Sequence, residues 1–274
     1  MLNLVPKYET NSDTKAKNME KPRTTPIALI TGGSRGLGRS MALHLAERGT
    51  DVIFTYRAAA AEAAEVQKQI EALGRKAVAL PLDVVDSASF EAFAIRLASE
   101  LAHTWQRQSF DYLVNNAGAG LHASIVETTP AQLDEMYQMH FKAPFLLTQR
   151  LLPLIADGGR ILNVSSGLAR FAIPGSSAYG AMKGAVEVFT RYLAKELGAR
   201  RISANVIAPG AIATDFGGGR VRDDAALNRA VSAMTALGRV GLPDDIGGAV
   251  AMLLAPESAW LNGQRIEVSG GMNL

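Results

Sequence analysis

The sequence contains no cysteine. That absence excludes disulfides, thiolate metal sites and a cysteine nucleophile, and it fits a reducing compartment, the cytoplasm. Histidine is scarce too. His44, His103, His122 and His140 lie far apart, and none shows the HExxH or short-spaced pairing of a zinc site, so no metal is expected. No apolar run approaches the roughly 18 residues of a membrane span, so no membrane role is expected. Residues 1–25 also lack the apolar stretch of a secretory signal, and their polar composition predicts a disordered tail. A surplus of one charge is likewise missing from the body. Five of the 28 basic and three of the 26 acidic residues fall in 1–25, leaving 23 of each sign in 26–274. A neutral body gives nucleic-acid binding little electrostatic support.

What is present from Pro26 onward is alternation. The expected strands are 27–31, 51–56, 76–81, 110–114, 160–165, 202–207 and 265–268. Between them lie expected helices at 37–48, 59–73, 87–103, 130–156, 177–198, 223–234 and 244–254. Pro144 should bend the longest of these, because proline removes a backbone donor. With 48% hydrophobic residues in 274, the chain can bury a large core. Strand–helix alternation implies an α/β fold, a doubly wound Rossmann-like parallel sheet with helices on both faces. No linker or repeat interrupts residues 26–274, which read as one domain. Ligands of such a sheet sit beyond the carboxyl ends of the strands.

The loop after the first strand reads Thr31-Gly32-Gly33-Ser34-Arg35-Gly36-Leu37-Gly38. A tight turn and a close approach to pyrophosphate both need residues without Cβ, and the helix start offers free N–H groups. The same residues satisfy G-x-S-x-G, the nucleophile elbow of α/β hydrolases. That reading needs an acid and then a histidine downstream, yet no histidine follows His140. Strand two ends Thr55-Tyr56-Arg57 without the carboxylate that NAD-preferring folds place there. Arg57 and Arg35 instead suit a 2′-phosphate, which points to NADPH.

Strand five leads into Asn163-Val164-Ser165-Ser166-Gly167, and Tyr179 and Lys183 follow four residues apart on one helical face. A phenol is a weak acid at neutral pH; a nearby ammonium lowers its pKa and makes proton donation to a carbonyl oxygen feasible. Ser165 or Ser166 is placed to hold that oxygen.

The glycine loop, Asn115-Asn116-Ala117-Gly118, the serine pair, Tyr179/Lys183 and Pro209-Gly210-Ala211-Ile212-Ala213-Thr214 stand together in an order that resembles the short-chain dehydrogenase/reductase family across residues 26–274. The resemblance implies a seven-stranded sheet and hydride transfer to or from NADPH/NADP+, and it selects Ser166 as the serine thirteen residues before the tyrosine. It makes Tyr179 the general acid, Ser166 the group polarising the carbonyl, and Lys183 the grip on the nicotinamide ribose. The cofactor set it implies begins with Gly32, Ser34, Arg35, Gly36, Leu37 and Gly38 in the loop, then Tyr56 and Arg57. Asp83 and Val84 fall at the adenine, and Asn115, Ala117 and Gly118 at the adenosine wall. Tyr179 and Lys183 belong to the set, as do Pro209 and Gly210, with Ile212 and Thr214 at the carboxamide. One position departs: His140 stands where the family has an asparagine that holds a proton-relaying water. His140 is expected to take over that water and, titrating near neutrality, to alter the pH dependence.

The expected activity is reversible reduction of a ketone or aldehyde to an alcohol, the resemblance extending to 3-oxoacyl-carrier-protein reductases and relaxed ketoreductases. The expected partner is a small carbonyl or alcohol substrate, in a homotetramer or dimer. The alternatives are a catalytically weak NADP(H)-binding regulator, for which only His140 speaks, and a serine hydrolase. Residues 216–237 are expected to close over the substrate, with Gly217, Gly218 and Gly219 permitting movement.

Overall fold

A computed structural model describes residues 25–274; the expected disordered tail, but for Thr25, lies outside the described residues. The elements in chain order are β1 (Ile27–Ile30), α1 (Gly36–Glu47), β2 (Asp51–Tyr56), α2 (Ala60–Ala72), β3 (Ala77–Pro81), α3 (Phe90–Trp105), β4 (Phe110–Asn115), α4 (Pro130–Tyr137), α5 (Ala143–Leu151), β5 (Ile155–Val164), α6 (Ser177–Glu196), β6 (Ser203–Pro209), α7 (Arg220–Asp223), α8 (Ala225–Ala233), α9 (Pro243–Leu253) and β7 (Arg265–Val268).

The strands form one parallel sheet in the order β3-β2-β1-β4-β5-β6-β7. β1 shows why both faces must be covered. All four of its residues are buried: Ile27 and Leu29 pack among the side chains of α3 and α5, while Ala28 and Ile30 pack among those of α1, α2 and α9. Alternation along the strand thus feeds two cores. The chain turns one way from β1 to β2 and the other way from β4 to β5. The crevice between β1 and β4, at their carboxyl ends, is where a doubly wound sheet takes its ligand.

Two expectations are corrected. The helix expected over 130–156 is broken. A capping box between Thr129 and Gln132 starts α4, a π-helical turn over Gln138–Lys142 interrupts it, and α5 restarts with Pro144 near its first turn. The missing proline donor is thus absorbed ahead of the ring rather than by a bend at it. β5 also begins five residues before the expected start. Its pairing with β4 slips between Phe110 and Tyr112, whose partners are Ile155 and Arg160, and Gly158 in between has φ +79°. Gly158 and Gly159 stand inside this strand edge, and glycine is a weak strand former.

A buried polar ladder ties the helices to the sheet near the crevice. Asn115 donates to Asn163 Oδ1 at 2.8 Å and to Thr148 Oγ1 at 3.0 Å, and Asn163 donates to Thr190 Oγ1 at 2.8 Å. Each group is paired, so burial carries no orphan penalty.

Candidate active site

The glycine loop is built by close contact. A Cβ on Gly38 would lie 2.1 Å from the Gly32 carbonyl oxygen, and one on Gly33 would lie 2.5 Å from the Phe54 side chain. Gly32 and Gly36 adopt φ of +71° and +54°, a region that favours glycine. From the next strand over, the Asn116 amide donates to the Thr31 and Gly32 carbonyls at 2.9 and 3.1 Å. At the start of α1, Arg35 gives no side-chain cap and no acidic residue stands in the first turn. The first amides of that helix are therefore left to an anion.

Beyond the strand ends lies one cleft of about 1070 Å³. The loop residues Gly32, Ser34, Arg35, Gly36, Leu37 and Gly38 line it. So do Tyr56 and Arg57 after β2, Asp83 and Val84 after β3, Ala117 and Gly118 after β4, and Pro209, Gly210, Ile212 and Thr214 after β6. Ser166, Tyr179, Lys183 and His140 line the same cleft. Asn115 does not. Its side-chain amide is buried in the ladder between β4 and β5, while the residue lines a small pocket with Thr31, Val84 and Ala117. Asn116, one residue on, was the informative amide. The closely approached glycines, the uncapped helix start and the two arginines fit a phosphorylated dinucleotide. Arg35 lies 3.9 Å from Asp215, with both side chains largely exposed.

Tyr179 and Lys183 occupy the buried face of α6. Gly180 lets this helix press against the turn after β5, where a Cβ would meet the Leu168 carbonyl oxygen at 2.8 Å. Lys183 Nζ donates to the Val164 carbonyl at 2.7 Å and lies 5.4 Å from the centre of the Tyr179 ring. The electrostatics differ from the sequence expectation. Burial raises the Tyr179 phenol well above its ordinary value, against which its hydrogen bond with Ser166 works in the opposite sense. Burial likewise pulls the Lys183 ammonium down to about 7. Desolvation outweighs charge proximity here, so the phenol stays protonated at neutral pH, the form a proton donor needs.

His140 sits in the π-helical turn, 1% exposed. Its Nε2–H donates to the Ala119 carbonyl at 2.7 Å, its ring meets Tyr179 edge-on at 5.0 Å, and Nδ1 is buried without a partner. Burial first, then the charge of Lys183, pull its pKa down to about 3. The expectation of titration near neutrality is thereby overturned: His140 is a neutral imidazole over the working range.

The rest of the cleft mixes polar residues, among them Glu62, His122, Ser176, Asp215 and Arg220, with an apolar patch drawn from distant segments. Leu121 follows β4, Phe171 and Ile173 follow β5, Phe216, Val221 and Leu227 belong to the segment after β6, and Met272 comes from the C-terminal end. Phe216 packs edge-on against Tyr179 at 5.8 Å. Of these the sequence signalled only the 216–237 segment, whose Gly217, Gly218 and Gly219 all have positive φ.

The profile of a family described as Enoyl-(Acyl carrier protein) reductase matches residues 32–273. The chain belongs to the short-chain dehydrogenase/reductase family. It is 33% identical to a tetrahydroxynaphthalene reductase, PfmaG, of Pestalotiopsis fici, over 96% of this chain and 97% of that one. It is 32% identical to a hydroxynaphthalene reductase, arp2, of Aspergillus fumigatus, over 89% and 90%. Among solved structures it is similar to the promiscuous reductase LugOII, which catalyses keto-reduction at C1 during lugdunomycin biosynthesis, with TM-score 0.87 and 37% identity over 92% of this chain and all of that one. The landomycin C-6 ketoreductase LanV, solved with NADP and rabelomycin, gives TM-score 0.83 and 36% identity over 91% and 97%. This short-chain dehydrogenase/reductase is accordingly an NADP(H)-dependent oxidoreductase of the carbonyl–alcohol couple. The hydrolase reading falls with that membership, since Ser34 belongs to the dinucleotide loop. The ketoreductase relatives weigh against the weak-regulator reading.

Proposed function

We propose that this reductase acts on a ketone set in a flat, fused-ring aromatic substrate, with Tyr179, Ser166 and Lys183 in the roles the family resemblance implies. The observation that carries the reading is convergence: a protonated phenol, its serine partner and a phosphate cradle open on one cleft that also carries an aromatic and aliphatic patch of Leu121, Phe171, Ile173, Phe216, Val221 and Leu227. The tetrahydroxynaphthalene named for one relative and the rabelomycin bound to another support the ring system.

When bound, the reduced nicotinamide supplies the hydride. The Ser166 hydroxyl donates a hydrogen bond to the ketone oxygen and, with Tyr179, stabilises the charge that develops there. The Tyr179 hydroxyl passes its proton to that oxygen. Lys183, anchored on the Val164 carbonyl, keeps its remaining donors for the cofactor ribose. Arg35 and Arg57 hold the 2′-phosphate, where a guanidinium's planar fork matches the oxygens. His140 fixes the Ala119 carbonyl with Nε2–H and offers Nδ1 as a neutral acceptor to a water behind Tyr179.

The assembly we infer is a homotetramer. Large apolar side chains are exposed on α4 (Tyr137), α5 (Phe145), α6 (Val188 and Tyr192) and α9 (Met252), and Trp260 ahead of β7 is 98% exposed. Sedimentation of the intact protein tests it. Among the described residues no helix is long and apolar enough to cross a membrane; with a sequence free of cysteine, we place the enzyme in the cytoplasm.

The activity test is NADPH oxidation with a fused-ring ketone, a β-keto ester and a small aliphatic ketone. The expected order is fused-ring first. Tyr179→Phe should lower turnover by about 10²- to 10⁴-fold while NADPH fluorescence titration still shows binding. Full turnover in that variant would remove Tyr179 from the chemistry.

A further inference from the structure

A charged network outside the cleft reaches the serine from behind. Ser165 Oγ donates to Glu187 Oε1 at 2.6 Å, and the same carboxylate oxygen accepts from Arg265 Nε at 2.8 Å. Arg265 also donates from Nη1 to Glu267 at 2.9 Å and from Nη2 to the backbone carbonyl of Ser166 at 3.2 Å. Glu267 is held in turn by Nε and Nη2 of Arg170, which also donates to the Met272 and Asn273 carbonyls. Ser165 is buried, and the side chains of Arg265 and Glu187 are mostly shielded, at 22% and 14% exposure.

The location of these contacts gives them meaning. Ser166 is where the chain leaves the sheet, and its hydroxyl already accepts from the Leu168 amide at 3.2 Å. Its peptide is pinned on one side to β7 through Arg265 and on the other to α6 through Ser165 and Glu187. Glu187 stands one helical turn past Lys183 and two past Tyr179. The carboxylate that steadies the serine loop therefore rides on the helix that carries the proton donor. Charge-assisted bonds of this kind are short and directional, and a displacement of about 1 Å in a reacting group is enough to cost about 100-fold in rate.

We propose that Arg265 and Glu187 are positioning residues for Ser166, fixing its hydroxyl in register with Tyr179 by joining the last strand of the sheet to the helix that bears Tyr179 and Lys183. This rests on the reading of Ser166 as the group that holds the ketone oxygen. In the full-length enzyme, Arg265→Met should lower kcat by about tenfold, a tenth of what a full 1 Å displacement costs, with the Kd for NADPH unchanged. Arg265→Lys, with one ammonium for three acceptors, should recover only part of the loss.

The deciding measurement repeats Arg265→Met in a Ser166→Ala background. If Arg265 acts through the serine hydroxyl, its loss there changes kcat by less than about twofold. Equal losses in both backgrounds, or no loss in the wild type, overturn the proposal and leave the Ser166 reading intact. Full turnover in Ser166→Ala alone overturns both. Should Arg265→Met fail to fold because Glu187 is left unpaired, the Glu187→Gln/Arg265→Met pair removes both charges, and the same cycle is read from it with the same outcomes.

Discussion

Glycine serves opposite ends in the two halves of the cleft. In the cofactor half, Gly33 and Gly38 stand where any Cβ would collide with Phe54 or with the Gly32 carbonyl. In the substrate half, Gly217 and Gly218 have nothing within 4 Å of a built Cβ, yet both hold positive φ. The first pair is there for closeness and the second for backbone freedom. A dinucleotide phosphate is the same in every turnover, so its cradle is rigid, braced by Asn116 and the ladder beneath it. A substrate must enter and leave, so the segment over it turns on residues with few constraints.

The sharpest way to break this contrast is Gly38→Ala. The introduced methyl meets a backbone oxygen at 2.1 Å, which close-packed surroundings cannot relieve, and NADPH affinity should fall by ~10³-fold in a fluorescence titration. An unchanged Kd would show that the loop is looser than its contacts imply.

Next comes His140, at the seam between the halves. Its folded pKa of about 3 lies below the ordinary 6.5, so the unfolded chain binds a proton that the folded protein refuses. This contribution to stability is complete above about pH 6.5 and is lost as pH drops toward 3, by on the order of 5 kcal/mol. In urea unfolding across that window, His140→Asn should lack this slope, while pH–rate profiles above pH 6 keep their shape. A profile displaced by the substitution near neutrality would restore the titrating role.

Arg57→Ala sharpens the cofactor side by about tenfold. The Kd for NADPH should rise by that factor, the loss of one charge-assisted contact, while that for NADH stays put. Equal changes for both cofactors would remove Arg57 from the 2′-phosphate. The smallest effect belongs to Gly218→Ala, where a side chain at φ +75° costs about 1 kcal/mol of stability and leaves the Kd for NADPH unchanged. Its expected signature is a lower kcat for bulky ketones only.

The glycine loop that lines the cleft was legible in the sequence, because main-chain chemistry leaves its mark as glycines at fixed spacing. The sheet was legible for the same reason: strands buried on both faces are short apolar runs, and β2 lies where it was expected. The misses have physical causes. Asn115 and Asn116 are adjacent and alike, and only the fold shows which amide meets the loop and which the ladder. Spacing placed Tyr179 beside Lys183, but the balance between burial and charge depends on the surrounding side chains, and it went against the expected acidification. The wall of the substrate half is drawn from Leu121, Phe171, Phe216 and Met272, positions with no local pattern in common. Arg265 and Glu187 meet across 78 residues, beyond the reach of any helical or strand period.

Arg170 holds the carbonyls of Met272 and Asn273, and the neighbouring glycines pair with Ala236 and Leu237 at the end of the segment that supplies Phe216, Val221 and Leu227 to the cleft. Any polypeptide fused after Leu274 therefore emerges beside the substrate entrance. Affinity tags, fluorescent reporters and immobilisation handles placed there would crowd that entrance.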